Sequence, residues 1–273
     1  MLQHELRRAF HNKLFVISLA IAIIIALLHV LLVSLPYGLT DTWESWRSGA
    51  KGIYPPSLYN TWIGQTGYSV FTVAFYFAIP LLCCIAYADS LCTDISTKYI
   101  NQELIRSSRT RYFSSKIIAV SLSCGCIACI PLLINLALTA CFVPALIPEP
   151  TAGTFFVAPN TMLADLYYDL PLVYILVFMI LTLILSGVFG LIALACSFFV
   201  RNHIVVTLMP FAFCMAIQFV SQDSIFAGFS PINILLPYQP YPSLFWVIAL
   251  ILIVLICGLT AMIICRGKRY EDL

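Results

Sequence analysis

Charged residues are scarce in this chain of 273 residues. Lys, Arg, Asp and Glu make up 10% of it and hydrophobic residues 62%, and the mean hydropathy is +0.99. A soluble domain carries roughly 25% charged residues. The composition therefore argues against a soluble protein and indicates an all-α integral membrane protein. The formal net charge of +2 is too small to indicate a nucleic-acid partner.

The charges avoid six apolar runs, in which there is no Asp, Glu, Lys or Arg. Most of the runs reach the roughly 20 residues that a helix needs to cross a hydrocarbon core about 30 Å thick. We predict one transmembrane domain over residues 1–273, in which residues 1–13 form an interfacial helix. The six predicted spans cover residues 14–35, 68–88, 117–143, 171–200, 204–220 and 244–265.

Lys and Arg are distributed unevenly over the segments between these spans. If both termini are cytoplasmic, the inner segments hold twelve of the 14 Lys and Arg residues, and only Arg47 and Lys51 lie outside. Such a bias sets the orientation of multi-pass proteins. We therefore predict six spans with both termini in the cytoplasm. Most of the 11 cysteines lie inside the apolar runs, where a thiol behaves as a small hydrophobe, so we expect free thiols and no metal site.

The chain also lacks two common sources of energy for transport. It has no Asp, Glu, Lys or Arg inside the spans and so no acid for a proton relay, and it has no G-x-x-x-x-G-K-[ST] loop that would bind nucleotide phosphates. The strongest polar groups in the spans are His29, Asn135 and Gln218. Such residues commonly hydrogen-bond neighbouring helices, and His29 and Gln218 are also candidates for a transport pathway.

An intramembrane hydrolase of the rhomboid type is one alternative, because Ser186 lies in the fourth run and His203 follows that run. A nucleophilic serine needs a base within hydrogen-bond reach, and the predicted topology places these two residues at different levels. The same region also has the spacing of a small-residue packing stripe. The stripe comprises Ser186, Gly190 and Ala193 in the fourth run, with Ser121, Gly125 and Cys129 in the third.

The inner loop between the second and third runs holds five basic residues within the nineteen positions from Lys98 to Lys116. Its first part, "DISTKYINQELIRSS", predicts a short helix along the membrane surface, because charges flank its apolar positions. Basic residues alone would keep the loop inside. A structured, charged helix additionally suits docking of a soluble partner through charge complementarity.

Three segments resemble the membrane subunit of a type 2 ABC transporter, the permease class of bacterial exporters. "HELRRAFHNKLF" resembles the family's interfacial helix, and "DISTKYINQELIRSSRTRYFSSK" resembles its cytoplasmic coupling helix between spans 2 and 3. "FSPINILLPYQPYPSLFW" is similar to the re-entrant outer segment that the family places between spans 5 and 6. The family often has Gly and Thr near the middle of the coupling helix, where this chain has Asn101 and Gln102.

The resemblance implies a transport subunit of the bacterial plasma membrane, not an enzyme. ATP and Mg²⁺ would be bound by a separate cytoplasmic ABC ATPase, and this chain would bind no cofactor. A second copy or a related permease would complete a dimeric pathway lined by spans 1, 2 and 5, for a peptide, a drug or a lipid-like compound. The implied ATPase contacts are Tyr99, Gln102, Glu103, Arg106, Arg109 and Arg111 in the coupling segment, with Glu5, Arg7, Arg8 and Lys13 in the interfacial helix. A non-transporting membrane partner, such as an immunity or sensor protein, is a further alternative.

Overall fold

The structure is a computed structural model that describes residues 1–39, 56–67, 69–149, 157–158, 161–222 and 226–269. It is 79% helical, and the described ranges contain no strand. Six helices are long and apolar enough to span a membrane. The prediction of an all-α, multi-pass membrane protein is therefore confirmed.

The six spans follow the predicted apolar runs closely. Span 1 is the helix Lys13–His29, continued by a π-helical turn, Val30–Ser34, and the short helix Leu35–Gly38. Spans 2 to 6 are Val70–Tyr87, Arg109–Phe142, Pro171–Cys196, His203–Ser221 and Phe245–Lys268. The N-terminal helix, Leu2–Phe10, precedes span 1. Among the described residues, four short elements precede spans 2, 4 and 6. They are Leu58–Thr61 before span 2, Ala164–Asp169 before span 4, and the 3₁₀ turn Ala227–Phe229 and the helix Pro231–Leu235 before span 6.

The inner loop differs from the single helix that the sequence predicts. It forms two helices, which we term the first loop helix, Ser90–Ser96, and the second loop helix, Tyr99–Arg106. They are separated because Lys98 has a φ of 57°, which is left-handed and ends a right-handed helix.

Span 3 begins at Arg109, eight residues before the predicted start at residue 117. Nothing between Arg109 and Lys116 breaks a helix, and Tyr112 and Phe113 on its inner side are fully buried. The helix therefore continues beyond the apolar run. Arg109 and Arg111, predicted in the loop, lie instead in the first turn of span 3.

Spans 2, 3 and 4 form the core of the bundle. More than half of the most apolar stretch of each of these spans is buried, whereas the corresponding stretches of spans 1, 5 and 6 are mostly exposed. Spans 3 and 4 pack closely through small residues, as predicted. A Cβ added to Gly190 would lie 2.6 Å from Cys124 Sγ and 2.8 Å from Val120 Cγ1. All eleven cysteines are free, which confirms the expectation of free thiols.

Contacts at one end of the bundle show that successive spans run in opposite directions. At this end Arg8 binds Asp94, His203 at the start of span 5 lies 3.6 Å from Asp89, and Arg109 donates to the Lys268 carbonyl at the end of span 6. We term it the basic end, because the predicted inner Lys and Arg residues lie in the segments that meet there. Arg47 and Lys51 lie outside the described residues.

At the opposite end, the segment before span 6 folds back onto the bundle. The short helix Pro231–Leu235 packs against spans 4 and 5, and Ile232 is fully buried. The Tyr174 hydroxyl donates to the Pro237 carbonyl at 2.5 Å, and the Gln239 side chain donates to the Met162 carbonyl at 2.6 Å. The predicted broken segment is thus fixed to span 4.

Candidate docking site

The N-terminal helix lies across the basic end with one side against the bundle. Glu5 and Ala9 are buried on that side, and Arg7 is exposed on the other. The helix ends before Asn12, whose side-chain oxygen caps span 1 by accepting from Leu14 N at 3.1 Å. The Asn12 amide also donates to the Ala86 carbonyl of span 2 at 2.8 Å. These bonds fix the start of span 1 to the end of span 2.

Four charged side chains meet beneath this helix, and we term Glu5, Arg8, Asp94 and Lys116 the ion-pair cluster. Glu5 accepts from Arg8 at 3.1 Å and from Lys116 Nζ at 3.1 Å. It also accepts from the Tyr87 hydroxyl of span 2 at 2.8 Å. One carboxylate thus joins the N-terminal helix to spans 2 and 3.

Asp94 of the first loop helix completes the cluster. Its carboxylate accepts from Arg8 Nη2 at 2.7 Å and from Lys116 Nζ at 2.5 Å. The Tyr112 hydroxyl of span 3 donates to the same carboxylate at 2.6 Å. Asp94 therefore joins the inner loop to the same two cations that hold Glu5.

The cluster is almost completely removed from solvent. The side chains of Glu5 and Lys116 are 0% exposed and that of Asp94 is 1% exposed, while Arg8 is 30% exposed. Burying a charge costs several kcal/mol unless it is paired and hydrogen-bonded, and here two carboxylates balance two cations. Burial lowers the pKa of Arg8, but its hydrogen bond to Asp94 and the charge of Asp94 raise it by more, so the net pKa is raised. Arg8 therefore stays charged.

The second loop helix attaches to the cluster through one side. The Arg8 guanidinium lies 4.7 Å from the centre of the Tyr99 ring, a cation–π distance. The Tyr99 hydroxyl donates to Glu103 at 2.5 Å, and Ile100 is fully buried. Burial raises the pKa of Tyr99, and the hydrogen bond to Glu103 raises it further, to about 12. The phenol therefore remains a donor at neutral pH.

The other side of the second loop helix is exposed, and we term Asn101, Gln102 and Ile105 the docking face. Asn101 and Gln102 are exposed polar residues, and Ile105 is 86% exposed. Ile105 belongs to none of the six spans. Single exposed apolar side chains are common on protein surfaces. Ile105 differs from them because the other side of its helix is attached to the bundle through Tyr99 and Ile100.

The predicted docking residues divide into two groups. Those turned toward the protein are Glu5, Arg8, Tyr99, Glu103 and Arg109, the last donating to the Lys268 carbonyl at 2.8 Å. Those exposed are Arg7, Lys13, Gln102 and Arg111. The Arg106 side chain lies outside the described residues.

Sequence reasoning did not single out Asp94, Lys116 or Ile105 as functional residues. Lys116 directly precedes a long apolar run, which suggests a residue at the membrane surface, yet it is fully buried. Asp94 and Lys116 are 22 positions apart, and no periodic pattern joins them. The one local signal for the cluster was the spacing of Glu5 and Arg8, which allows an ion pair on one helix face.

The two candidate pathway residues make contacts within the chain. The His29 ring is 0% exposed, with Nε2 2.7 Å from Thr66 Oγ1 and Nδ1 3.2 Å from Asn135 Nδ2. His29 of span 1 therefore contacts span 3 and the segment before span 2. Gln218 is partly buried, accepts from Ser230 and lies 3.4 Å from Asn233 Oδ1. A pathway role stays a prediction for both residues.

The geometry does not favour a Ser186–His203 pair. Ser186 is fully buried and lies ten positions before the end of span 4, about 15 Å along the helix axis. His203 lies at the basic end, where its ring contacts Asp89 and Thr93. A nucleophile and its base must approach to hydrogen-bond distance. The contacts of His203 thus place it far from Ser186.

No family model, no curated protein and no solved structure matches this chain.

Proposed function

We propose that this chain is the membrane-spanning subunit of an ATP-driven ABC exporter. It forms the translocation pathway as a dimer in a bacterial plasma membrane, with the basic end facing the cytoplasm. A separate cytoplasmic ATPase binds ATP and Mg²⁺, docks on the docking face and supplies the energy. The cargo is a peptide, a drug or a lipid-like compound.

The proposal rests on one observation: the second loop helix exposes the docking face on one side and contacts the buried ion-pair cluster on the other. A surface loop that served only to orient the chain in the membrane would need Lys and Arg alone. Here the loop also has an almost fully exposed Ile105 on a helix whose other side is tied to Arg8. Exposed Arg111 nearby adds charge that steers an acidic surface into register.

The cluster gives a route by which a push on the docking face reaches the spans. Tyr99 contacts Arg8 of the N-terminal helix, and Arg8 binds Asp94 of the first loop helix. Asp94 in turn binds Lys116 of span 3. Because a broken buried ion pair costs several kcal/mol, these elements move together. Closure of the ATPase subunits thereby shifts span 3 and the N-terminal helix as one unit.

The proposal is tested by affinity purification of the tagged chain from its native membranes, followed by identification of bound proteins and assay of ATP hydrolysis. Wild-type chain is expected to retain an ATPase that carries a G-x-x-x-x-G-K-[ST] loop. The Ile105→Asp chain is expected to recover roughly tenfold less of this ATPase, which is the scale of effect when an apolar interface anchor is removed. Ile147→Asp is the matched control, because Ile147 is 67% exposed and lies at the opposite end.

Two results would contradict the proposal. One is equal recovery of the ATPase with wild-type chain and Ile105→Asp. The other is transport of cargo by the purified chain alone, driven by an ion gradient across a liposome membrane. The second result would mean that the spans themselves use an ion gradient, although the six apolar runs contain no Asp, Glu, Lys or Arg.

A further inference from the structure

A groove of about 340 Å³ opens on the side of the bundle at the basic end, between spans 1, 2 and 5. Its walls are apolar and include Leu14 of span 1, Leu81 and Ile85 of span 2, and Leu208 of span 5. Small-molecule sites typically measure roughly 300–1,000 Å³ and are lined mainly by apolar side chains. The groove is open on one side, has an apolar lining, and lies near the lower end of this size range.

The polar lining of the groove is concentrated where span 2 ends. Asp89 lies two residues after span 2, and its side chain is 21% exposed. The His203 ring lies beside it, with Nδ1 3.6 Å from Oδ2 and a side chain that is 43% exposed. The Thr93 hydroxyl lies 3.4 Å from the same ring nitrogen. A carboxylate and an imidazole thus stand together at the polar end of an apolar groove.

Asp89, which is partly exposed, differs from Glu5 and Asp94, the two buried carboxylates described at this end. Glu5 and Asp94 are each held by Arg8 and Lys116 at 3.1 Å or less. Asp89 has a histidine at a longer distance, and histidine is a partner whose charge depends on pH. The negative charge of Asp89 is therefore balanced less completely, and it faces the groove.

We infer that this groove binds an amphiphile with a single alkyl chain and a cationic ammonium head group. The alkyl chain lies along Leu14, Ile85 and Leu208, and the ammonium group lies beside Asp89, where the apolar wall ends. An anionic head group is disfavoured, because it would meet the Asp89 carboxylate. The inference deepens the proposed function, because spans 1, 2 and 5 are the predicted pathway spans and a cationic amphiphile is a lipid-like compound. The binding test uses the purified chain alone, so its outcome is separate from recovery of the ATPase.

Binding is measured with the full chain in nanodiscs of zwitterionic phosphatidylcholine, using a hexadecyl-dimethylammonium spin label as the probe. Electron paramagnetic resonance gives the fraction of probe that is immobilised. Dodecyltrimethylammonium is expected to displace this fraction, and dodecyl sulfate is expected to leave it in place. The anionic competitor separates the groove from general contact with lipid at the surface of the bundle.

Two variants address the groove itself. Asp89→Asn is expected to weaken binding roughly tenfold, between the small effect of an exposed ion pair and the larger effect of a fully buried one. Leu208→Trp is expected to weaken binding because the larger side chain fills the groove. Asp165→Asn is the matched control: it removes the same charge from an exposed residue outside the basic end, and is expected to bind as wild type does.

His203→Lys guards against a folding defect in Asp89→Asn. It keeps the carboxylate but gives it a permanent cation, so it is expected to weaken binding of the ammonium probe without an unfolding change in a thermal scan. Wild-type binding by both Asp89→Asn and His203→Lys would overturn the inference, as would equal displacement by the anionic competitor. Affinity purification of the Asp89→Asn chain, followed by assay of the bound ATPase, tests the proposed function separately from the groove.

Discussion

Among single residues, Lys116 joins the most elements at the basic end. Its side chain is 0% exposed, and Nζ contacts Glu5 of the N-terminal helix and Asp94 of the first loop helix. Nζ also lies 5.2 Å from the centre of the Tyr87 ring of span 2. One ammonium group therefore connects span 3 to three other elements. Its loss would leave Arg8 to balance the charge of both buried carboxylates.

Lys116→Met is expected to lower the free energy of unfolding by about 3–5 kcal/mol, the range for removing one partner of a buried ion pair. The measurement is thermal or denaturant unfolding of the detergent-purified chain. Lys268→Met, an exposed lysine at the same end, is expected to leave the unfolding midpoint nearly unchanged. The double variant Glu5→Gln/Lys116→Met is expected to recover part of the loss. Equal midpoints for Lys116→Met and Lys268→Met would show that the cluster does not hold these elements together.

At the scale of elements, spans 3 and 4 pack closely because small residues line their contact. Cys124 donates its thiol to the Cys83 carbonyl, and Cys83 donates to the Cys124 carbonyl, each at 3.2 Å, which draws span 2 against span 3. On the other side of span 3, Gly190 of span 4 allows close approach because it has no side chain. In lipid, such close approach supplies much of the packing energy.

Gly190→Ala tests this contact, since the added methyl would overlap Cys124 and Val120. We expect a loss of about 1–3 kcal/mol in stability, as for other overpacked cores. Gly258→Ala in span 6 is the control, because a Cβ there meets nothing within 4 Å, and alanine favours a helix over glycine. Unfolding of the two variants in the same detergent gives the comparison. A Gly190→Ala protein as stable as Gly258→Ala would contradict the packing described for spans 3 and 4.

The elements also show what sequence patterns can and cannot predict. The six spans were predictable because each is set by a local property, a long run of apolar residues. The break between the two loop helices at Lys98 was not predictable, because the left-handed φ of 57° occurs in a non-glycine residue with no local turn signal. The ion-pair cluster was not, because Glu5, Asp94 and Lys116 are distant in sequence and meet only through helix packing.

At the scale of the whole molecule, the charge distribution divides the bundle into two unlike ends. The basic end gathers the N-terminal helix, both loop helices and the ion-pair cluster. The opposite end is held by neutral hydrogen bonds, such as that from the Gln239 side chain to the Met162 carbonyl at 2.6 Å. The orientation predicted from the Lys and Arg bias, with the basic end in the cytoplasm, stays a prediction.

Labelling of intact cells with a membrane-impermeant maleimide tests that orientation. The background replaces the exposed Cys141, Cys257 and Cys265 by alanine and serves as the unlabelled control. A cysteine introduced at exposed Ile147 is expected to react in intact cells. A cysteine introduced at exposed Ser108 is expected to react only after lysis. The reverse pattern would place the docking face outside the cell, beyond the reach of a cytoplasmic ATPase.

The central claim is that energy enters this protein through the docking face. Site-specific photo-crosslinking in living cells tests it most directly, with benzoylphenylalanine in place of Ile105 or, as the control, of Ile147. The account predicts that position 105 crosslinks to a protein with a G-x-x-x-x-G-K-[ST] nucleotide-binding loop and that position 147 does not. Crosslinks from position 105 that contain no such ATPase, while the chain still transports its cargo, would contradict it.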